Sequence, residues 1–219
     1  MELELKNKSV LITGSHRGTG QVIAESFANE GAKVFFHSLN EPNVDLSVNG
    51  ATVWGDITTE AGADQVFRQV STHLNRLDIL VNNYGKTTQG KWQSSSIEDW
   101  IETYEINTLS VVRMIQKFST GMTAGGRIIN LGTVGSTRPN RVMPHYYSAK
   151  GALATLTVSL AKELGPRGIN VNLVSPGLIR TPEVEAHYLK QALEHKWGED
   201  FASAEEKIAE EFFPNPLKR

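Results

Sequence analysis

Six short β-rich runs alternate with helix-like stretches along almost all of the 219-residue chain. This alternation limits the fold more than any other feature. The first run is Ser9-Val10-Leu11-Ile12-Thr13. Glycines 14, 18 and 20 follow it, and then a stretch with Ala24, Phe27 and Ala28 on one face, ending at Gly31. The second run is Lys33-Val34-Phe35-Phe36. Strand, glycine turn, helix and strand make a βαβ unit of ordinary length. The later strand-like runs are Ala51 to Trp54, Leu77 to Val81, Gly126 to Leu131 and Ile169 to Val174. Between them lie helical patterns over Ala61 to Leu74, Ile97 to about Met122, and the segment from Tyr146 to near Gly165. Such alternation implies an α/β chain with one doubly wound parallel sheet and helices on both faces. Right-handed crossovers set its winding. No internal repeat, low-complexity segment or linker interrupts it, so residues 1–219 read as one domain.

In such a sheet, ligands sit at the carboxyl ends of the strands. The chain's unusual residues fall there: the glycine turn Thr13 to Gly20, Asn82-Asn83-Tyr84-Gly85, Leu131-Gly132-Thr133 and Ser175-Pro176-Gly177. Glycines after the first strand let the backbone bend tightly and approach a pyrophosphate. The following helix offers free N–H groups and a positive dipole end. Tyr146 and Lys150 are four residues apart, so a helix presents both on one face. An ammonium close to a phenol favours the phenolate. The expectation is a Tyr146 pKa below the ordinary value of about 10, suited to general acid–base work.

Composition removes several classes. The net charge is −2 with Lys and Arg scattered, which leaves no footprint for nucleic acid. No apolar run approaches the ~20 residues of a membrane span. The acidic start Met1-Glu2-Leu3-Glu4 is not a signal peptide, and a cytoplasmic location is expected. There is no cysteine, so disulfides and thiolate chemistry are excluded. Six histidines lie at 16, 37, 73, 145, 187 and 195 without a metal-ligand spacing, and no metal is expected.

On these residues the chain resembles the classical short-chain dehydrogenase/reductases, in the style of the 3-oxoacyl-carrier-protein reductase branch. Thr13-Gly14-Ser15-His16-Arg17-Gly18-Thr19-Gly20 is similar to that family's TGxxxGxG motif. Asn82-Asn83-Tyr84-Gly85 resembles its Asn-Asn-Ala-Gly element, and Asn107 falls at its helix-kinking asparagine. Tyr146 and Lys150 match its Tyr-x-x-x-Lys pair. Ser175 to Thr181 resembles its Pro-Gly turn and the threonine that holds a nicotinamide carboxamide.

The resemblance implies a Rossmann fold and an NAD(P)-dependent oxidoreductase acting on a carbonyl or secondary alcohol. Its catalytic set would be Asn107, Thr133, Tyr146 and Lys150. Thr133 stands thirteen residues before the tyrosine, where the family usually has serine. Threonine keeps the hydroxyl but adds a methyl and a stiffer χ1. Ser136 and Thr137 are back-up hydroxyls that break the spacing. The implied cofactor-binding residues are Gly14, Ser15, Arg17, Gly18, Thr19, Gly20, His37, Ser38, Asp56, Ile57, Asn83, Tyr84, Gly85, Tyr146, Lys150, Pro176, Gly177, Ile179 and Thr181, with Asp56 and Ile57 flanking the adenine. No carboxylate ends the second run, His37-Ser38-Leu39-Asn40, and Arg17 lies between the glycines. NADP(H) is therefore preferred, with NAD(H) possible.

Several departures carry expectations of their own. Thr19 and Tyr84 replace the family's isoleucine and alanine, and Tyr84 is expected to point outward. Asn40 to Gly50 is expected to be a loop. Residues 182–213 are expected to form a helical segment covering the substrate. Within it, Tyr188, Trp197, Phe201, Phe212 and Phe213 serve either as packing or as an apolar pocket, whereas Trp92 and Trp100 read as packing. The family's last helix and seventh strand find no counterpart before Arg219, which implies a truncated or shortened chain. With that terminus present, a homodimer or homotetramer is expected. The competing reading is a nucleotide-binding regulatory or scaffold homologue without turnover. An extended sugar-nucleotide epimerase fits the glycine spacing less well.

Overall fold

A computed structural model describes residues 3–42 and 50–212, with Glu183 and Phe212 described by backbone alone. The chain forms two compact units, Met1–Ser175 and Pro176–Arg219. The first unit is built on a parallel sheet of β1 (Ser9–Ile12), β2 (Lys33–Ser38), β3 (Gly50–Trp54), β4 (Ile79–Asn82), β5 (Arg127–Leu131) and β6 (Asn170–Val174). Their spatial order is β3-β2-β1-β4-β5-β6, the doubly wound arrangement. The turnover of strand order lies between β1 and β4, where Leu11 pairs with Leu80 and Ile12 with Val81. Asn43 to Asn49, the centre of the expected 40–50 loop, lie outside the described residues. Gly50 already belongs to β3.

Central strands β1 and β4 are buried along their whole length, as strands covered on both faces must be. Side chains alternate between the faces. Leu11, Phe35, Leu80 and Ile128 join one core with Val66, Met114 and Leu153. Val10, Ile12, Val34, Phe36 and Val81 join the other with Ala24. The first core is packed by α2 (Glu60–His73), α4 (Ser110–Ser119) and α5 (Pro144–Leu164). The second is packed by α1 (Gly18–Asn29). Each fully buried aliphatic side chain contributes about 1.5–3 kcal/mol.

The long helical pattern from Ile97 is not one regular helix. It divides into α3 (Ile97–Tyr104), a five-residue π-turn at Glu105–Leu109, and α4. A π-turn inserts one residue into the helical repeat and so rotates the faces of α4 relative to those of α3. Asn107 sits inside it. The start of α3 is set locally, by a Ser96–Asp99 capping box.

Buried polar bonds lock α5 to the sheet. Asn82 Nδ2 donates to Asn130 Oδ1 and Asn130 Nδ2 donates to Thr157 Oγ1, both at 2.9 Å. Thr108 Oγ1 donates to Ala149 O at 2.9 Å, which ties the π-turn to the residue before Lys150. The second unit contains α6 (Pro182–His195) and α7 (Phe201–Phe212). Tyr188, Trp197 and Phe201 pack with Ala192, Ala204 and Ile208. That is the packing role of the two considered. The Phe212 side chain and Phe213 lie outside the described residues. Arg180 pairs with Glu185 and Glu205 and lies over the Phe201 ring, joining the two helices of this unit. Among the described residues, no helix is long and apolar enough to cross a membrane.

His37, at the end of β2, is fully buried. Its Nδ1 accepts from Gly14 N–H at 2.9 Å, so the proton lies on Nε2, which meets Gly55 O at 2.9 Å. The neutral ring thus clamps the ends of β1, β2 and β3 together. Burial pushes its pKa down from 6.5 to about 4. The unfolded chain takes up this proton at a higher pH than the folded one. The clamp's stabilisation is full above pH 6.5 and is lost as pH falls toward 4, by on the order of 3 kcal/mol. Unfolding midpoints at pH 7 and pH 5 should therefore differ in the wild type, and the difference should shrink in His37→Gln. An unchanged difference would show that another group sets the acid limit.

Candidate active site

The site is assembled at the carboxyl ends of β1, β4 and β5. Four hydrogen bonds made by the Thr13 hydroxyl and the Asn83 amide hold the first turn to the end of β4. Thr13 Oγ1 accepts from Asn83 N–H at 3.0 Å and Tyr84 N–H at 2.9 Å. Asn83 Nδ2 returns donations to Thr13 O at 3.0 Å and Gly14 O at 3.1 Å. Thr13 was part of the glycine motif but was not among the expected site residues. Its role becomes visible only when β1 and β4 lie side by side.

The glycine turn has two requirements. Gly14 and Gly18 sit at φ +63° and +59°, the left-handed region that favours glycine. Gly20 admits no side chain, because a Cβ there would overlap Gly14 O and crowd Asn83 Nδ2 at 2.5 Å. Arg17 precedes α1 in extended backbone, and no side chain caps the helix. The first-turn N–H groups of Gly18, Thr19 and Gly20 therefore point out with the positive end of the dipole. The Arg17 side chain is exposed beside them.

Other expected cofactor contacts are placed differently. Ser15 is fully buried; its hydroxyl donates to Ile12 O at 2.8 Å and accepts from His37 N–H at 2.9 Å. Both ring nitrogens of His37 are occupied by the backbone of Gly14 and Gly55. Ser38 gives its hydroxyl to Asn40 O. Ile57 is a core residue at 2% exposure. These four side chains build the walls of the turn and do not project from it. Asp56 is half-buried, and its Oδ1 accepts from Thr58 N–H at 3.0 Å and Thr58 O–H at 2.6 Å. Tyr84 does not point outward. It is half-buried, edge-on to His37 with centroids 6.5 Å apart, and close enough to Gly14 that a Cβ there would lie 3.3 Å from its Cδ2. A ring this large needs a glycine opposite it.

Tyr146 and Lys150 rise from α5, whose first residue is Pro144. Lys150 is only 4% exposed, and its Nζ donates to Leu131 O, at the end of β5, at 2.8 Å. Burial pulls its pKa down from 10.5 to about 8. Burial, aided by Tyr147, pushes the Tyr146 phenol up to about 12. The expectation of a lowered tyrosine pKa is thus corrected. Desolvation disfavours the charged form of both groups, and no lowering of the phenol by the Lys150 ammonium offsets it.

Asn107 is fully buried in the π-turn. Its Nδ2 donates to Lys86 O at 2.9 Å and Thr103 O at 3.0 Å, and its Oδ1 accepts from Lys86 N–H at 3.2 Å. Gly85 is the point where Asn107 and Lys150 meet: a Cβ there would lie 2.9 Å from Asn107 Oδ1 and 3.3 Å from Lys150 Nζ. Thr133 begins a short 3-10 turn after β5. Its Oγ1 accepts from Gly135 N–H at 3.2 Å, which leaves the hydroxyl proton for another acceptor. Of the back-up hydroxyls, Ser136 Oγ is buried and Thr137 donates to Val134 O at 3.2 Å. Pro176, Gly177, Ile179 and Thr181 belong to the second unit. There Thr181 Oγ1 caps α6 by accepting from Val184 N–H at 3.3 Å.

Comparison with known proteins bears on the family and the fold. A family model described as enoyl-(acyl carrier protein) reductase matches residues 14–210. The 3-oxoacyl-[acyl-carrier-protein] reductase of Vibrio cholerae is 34% identical over 191 residues, 84% of this chain and 78% of that protein. L-sorbose reductase of Gluconobacter frateurii, solved with NADPH and L-sorbose, superposes with a TM-score of 0.89 at 28% identity. The match covers 100% of this chain and 86% of that one. Aldohexose dehydrogenase of Thermoplasma acidophilum gives 0.82 at 27% identity, covering 98% and 82%. With its strand order, its glycine turn and its Tyr146–Lys150 pair, the chain belongs to the classical short-chain dehydrogenase/reductase family, similar to its 3-oxoacyl-carrier-protein reductases.

Proposed function

We propose that this oxidoreductase reduces the carbonyl of a small molecule with NADPH, with Tyr146 as the proton donor. The observation that carries the reading is the meeting of Lys150, Asn107 and Gly85 beside the end of β5, four residues along the helix from Tyr146. A lysine with only a structural part to play has no need to be buried at the strand end, on the helix that carries Tyr146. NADPH-bound L-sorbose reductase among the similar structures supports the same choice of cofactor.

The residues fit such a cofactor. The turn at Gly14, Gly18 and Gly20 leaves room for a pyrophosphate over the uncapped start of α1. Arg17 is an exposed cation between the glycines, suited to a ribose 2′-phosphate. His37 and Ser38 act by shaping this turn, since their own polar atoms are spent inside the protein. Pro176, Gly177, Ile179 and Thr181 are the second unit's proposed cofactor residues. NAD(H) is the weaker alternative.

A bound nicotinamide supplies the hydride. The protein supplies the proton and the orientation. Thr133, whose hydroxyl proton is free, would donate a hydrogen bond to the carbonyl oxygen and so orient the carbonyl. The Tyr146 phenol is protonated at neutral pH, so it enters as an acid and gives its proton to that oxygen as negative charge grows. The phenolate left behind is costly in a buried site. Lys150, as ammonium, offsets that cost. Asn107 does not reach the reacting atoms through its own bonds. It fixes the backbone of Lys86 beside Gly85, and so holds the wall against which Lys150 lies.

Tyr146→Phe should lower NADPH-dependent reduction about 100-fold or more while changing NADPH binding little. Equal loss of both in a folded variant would remove the assigned role. Arg17→Ala should raise the KM for NADPH about tenfold and leave that for NADH nearly unchanged, because a charge-assisted phosphate contact is lost from one cofactor alone. A parallel change for both cofactors would contradict the phosphate assignment. Tight binding without turnover across a broad ketone panel would favour a regulatory homologue.

A further inference from the structure

Tyr147 follows the proposed proton donor on α5 and is half-buried. Successive residues on a helix point about 100° apart, so the two tyrosines leave α5 in different directions. Their rings nevertheless meet, in an edge contact with centroids 5.6 Å apart and planes at 60°. Tilted pairs of this kind are a favoured geometry for aromatic rings. The Tyr147 ring also lies on the turn after β5. A Cβ at Gly135 would lie 2.0 Å from its Cε1 and 2.3 Å from its Cδ1, so the ring occupies the space that any side chain at 135 would need. Gly135 is buried there, and its N–H donates to Thr133 Oγ1 at 3.2 Å. One ring therefore touches both the Tyr146 ring and the backbone unit that holds the Thr133 hydroxyl.

That hydroxyl needs holding. Its bond from Gly135 is at the long end of the ordinary range, and glycine is the residue freest to change conformation. Thr133 stands in extended backbone at φ −157°, just before the Val134–Ser136 3-10 turn. Ser136 N–H donates to Thr133 O at 3.0 Å, which fixes the carbonyl and leaves the hydroxyl to the Gly135 N–H. A ring pressed on Gly135 takes away the freedom of that residue and keeps its N–H aimed at Oγ1. In the proposed reaction a single carbonyl oxygen meets both the Thr133 hydroxyl and the Tyr146 phenol. Misplacing such groups by about 1 Å costs on the order of 100-fold in rate. We propose that Tyr147 is a positioning residue: its ring, wedged between Gly135 and the Tyr146 ring, holds the Thr133 turn and the phenol in a fixed relation. The assignment rests on the reading of Tyr146 as proton donor and Thr133 as the hydroxyl that orients the carbonyl. Ring carbons make the contact with Gly135, so the ring positions the turn and the Tyr147 hydroxyl takes no part.

The test measures NADPH-dependent reduction of D-fructose and 2-hexanone by wild type, Tyr147→Ala, Tyr147→Phe, Thr133→Ala and the double variant Thr133→Ala/Tyr147→Ala. Unfolding midpoints and NADPH titration establish that each variant is folded. On the faster probe, Tyr147→Ala should lower kcat about tenfold and change the KM for NADPH by less than about twofold. Tyr147→Phe keeps the ring and should stay within about twofold of wild type. In the Thr133→Ala background, removing the ring should cost less than about threefold, because residues that act as a unit are not additive. The same fold-loss in both backgrounds, an equal loss in Tyr147→Phe, or no loss in Tyr147→Ala would overturn the assignment and leave the reductase reading standing. Failure of the wild type to reduce either probe would count against the reductase reading. Amide hydrogen exchange at Gly135 then decides the wedge by itself. Exchange about tenfold faster in Tyr147→Ala, with Tyr147→Phe unchanged, is expected, and equal protection in all three proteins would overturn it.

Discussion

An ammonium group removed from water is the constraint around which this site is arranged. Lys150 is 4% exposed, and its Nζ donates to Leu131 O at the end of β5. Burial of a lone charge is costly, and the protein responds on both sides of the equilibrium. The lysine is pulled toward neutrality, to about 8, while hydrogen bonding and the rigid surroundings keep it in place. Much of the buried polar structure supports that placement. Asn82, Asn130 and Thr157 fix α5 on the sheet, Thr108 holds the carbonyl of Ala149, and Asn107 sets the backbone beside Gly85.

The glycine turn obeys a different logic. Its shape is set by neutral groups: the His37 ring, the Thr13 hydroxyl and the Asn83 amide each bond backbone atoms at the strand ends. With those interior partners satisfied, the outward N–H groups of α1 and the Arg17 guanidinium remain for an anion. Cationic and neutral elements are thus separated along the carboxyl edge of the sheet. A phosphate-bearing ligand is proposed for one end and a proton-transferring pair for the other.

Most of the fold was legible because parallel strands buried on both faces leave continuous apolar runs, and β1, β4 and β5 stand where those runs lie. The turn at Gly14, Gly18 and Gly20 and the helix that carries Tyr146 and Lys150 were legible too, since backbone shape dictates the glycines and spacing the helix. What escaped was the direction of side chains. Ser15, His37, Ser38 and Ile57 stand at the right places in the chain yet turn inward, because bonds to Ile12, Gly14, Gly55 and Asn40, or core packing, claim them first. Tyr84 turns inward because Gly14 leaves space for its ring. The tyrosine pKa was misjudged for a related reason: spacing suggests a neighbouring charge but does not reveal the burial that sets the shift.

The most direct test of this account is an NMR titration of the Lys150 side chain, with 13C-labelled lysine and Lys150→Met to assign the signal. The account predicts a midpoint near 8, set by burial at the end of β5. A midpoint near the ordinary 10.5 would mean that the ammonium is solvated, and the proton-handling role built on its burial would fall.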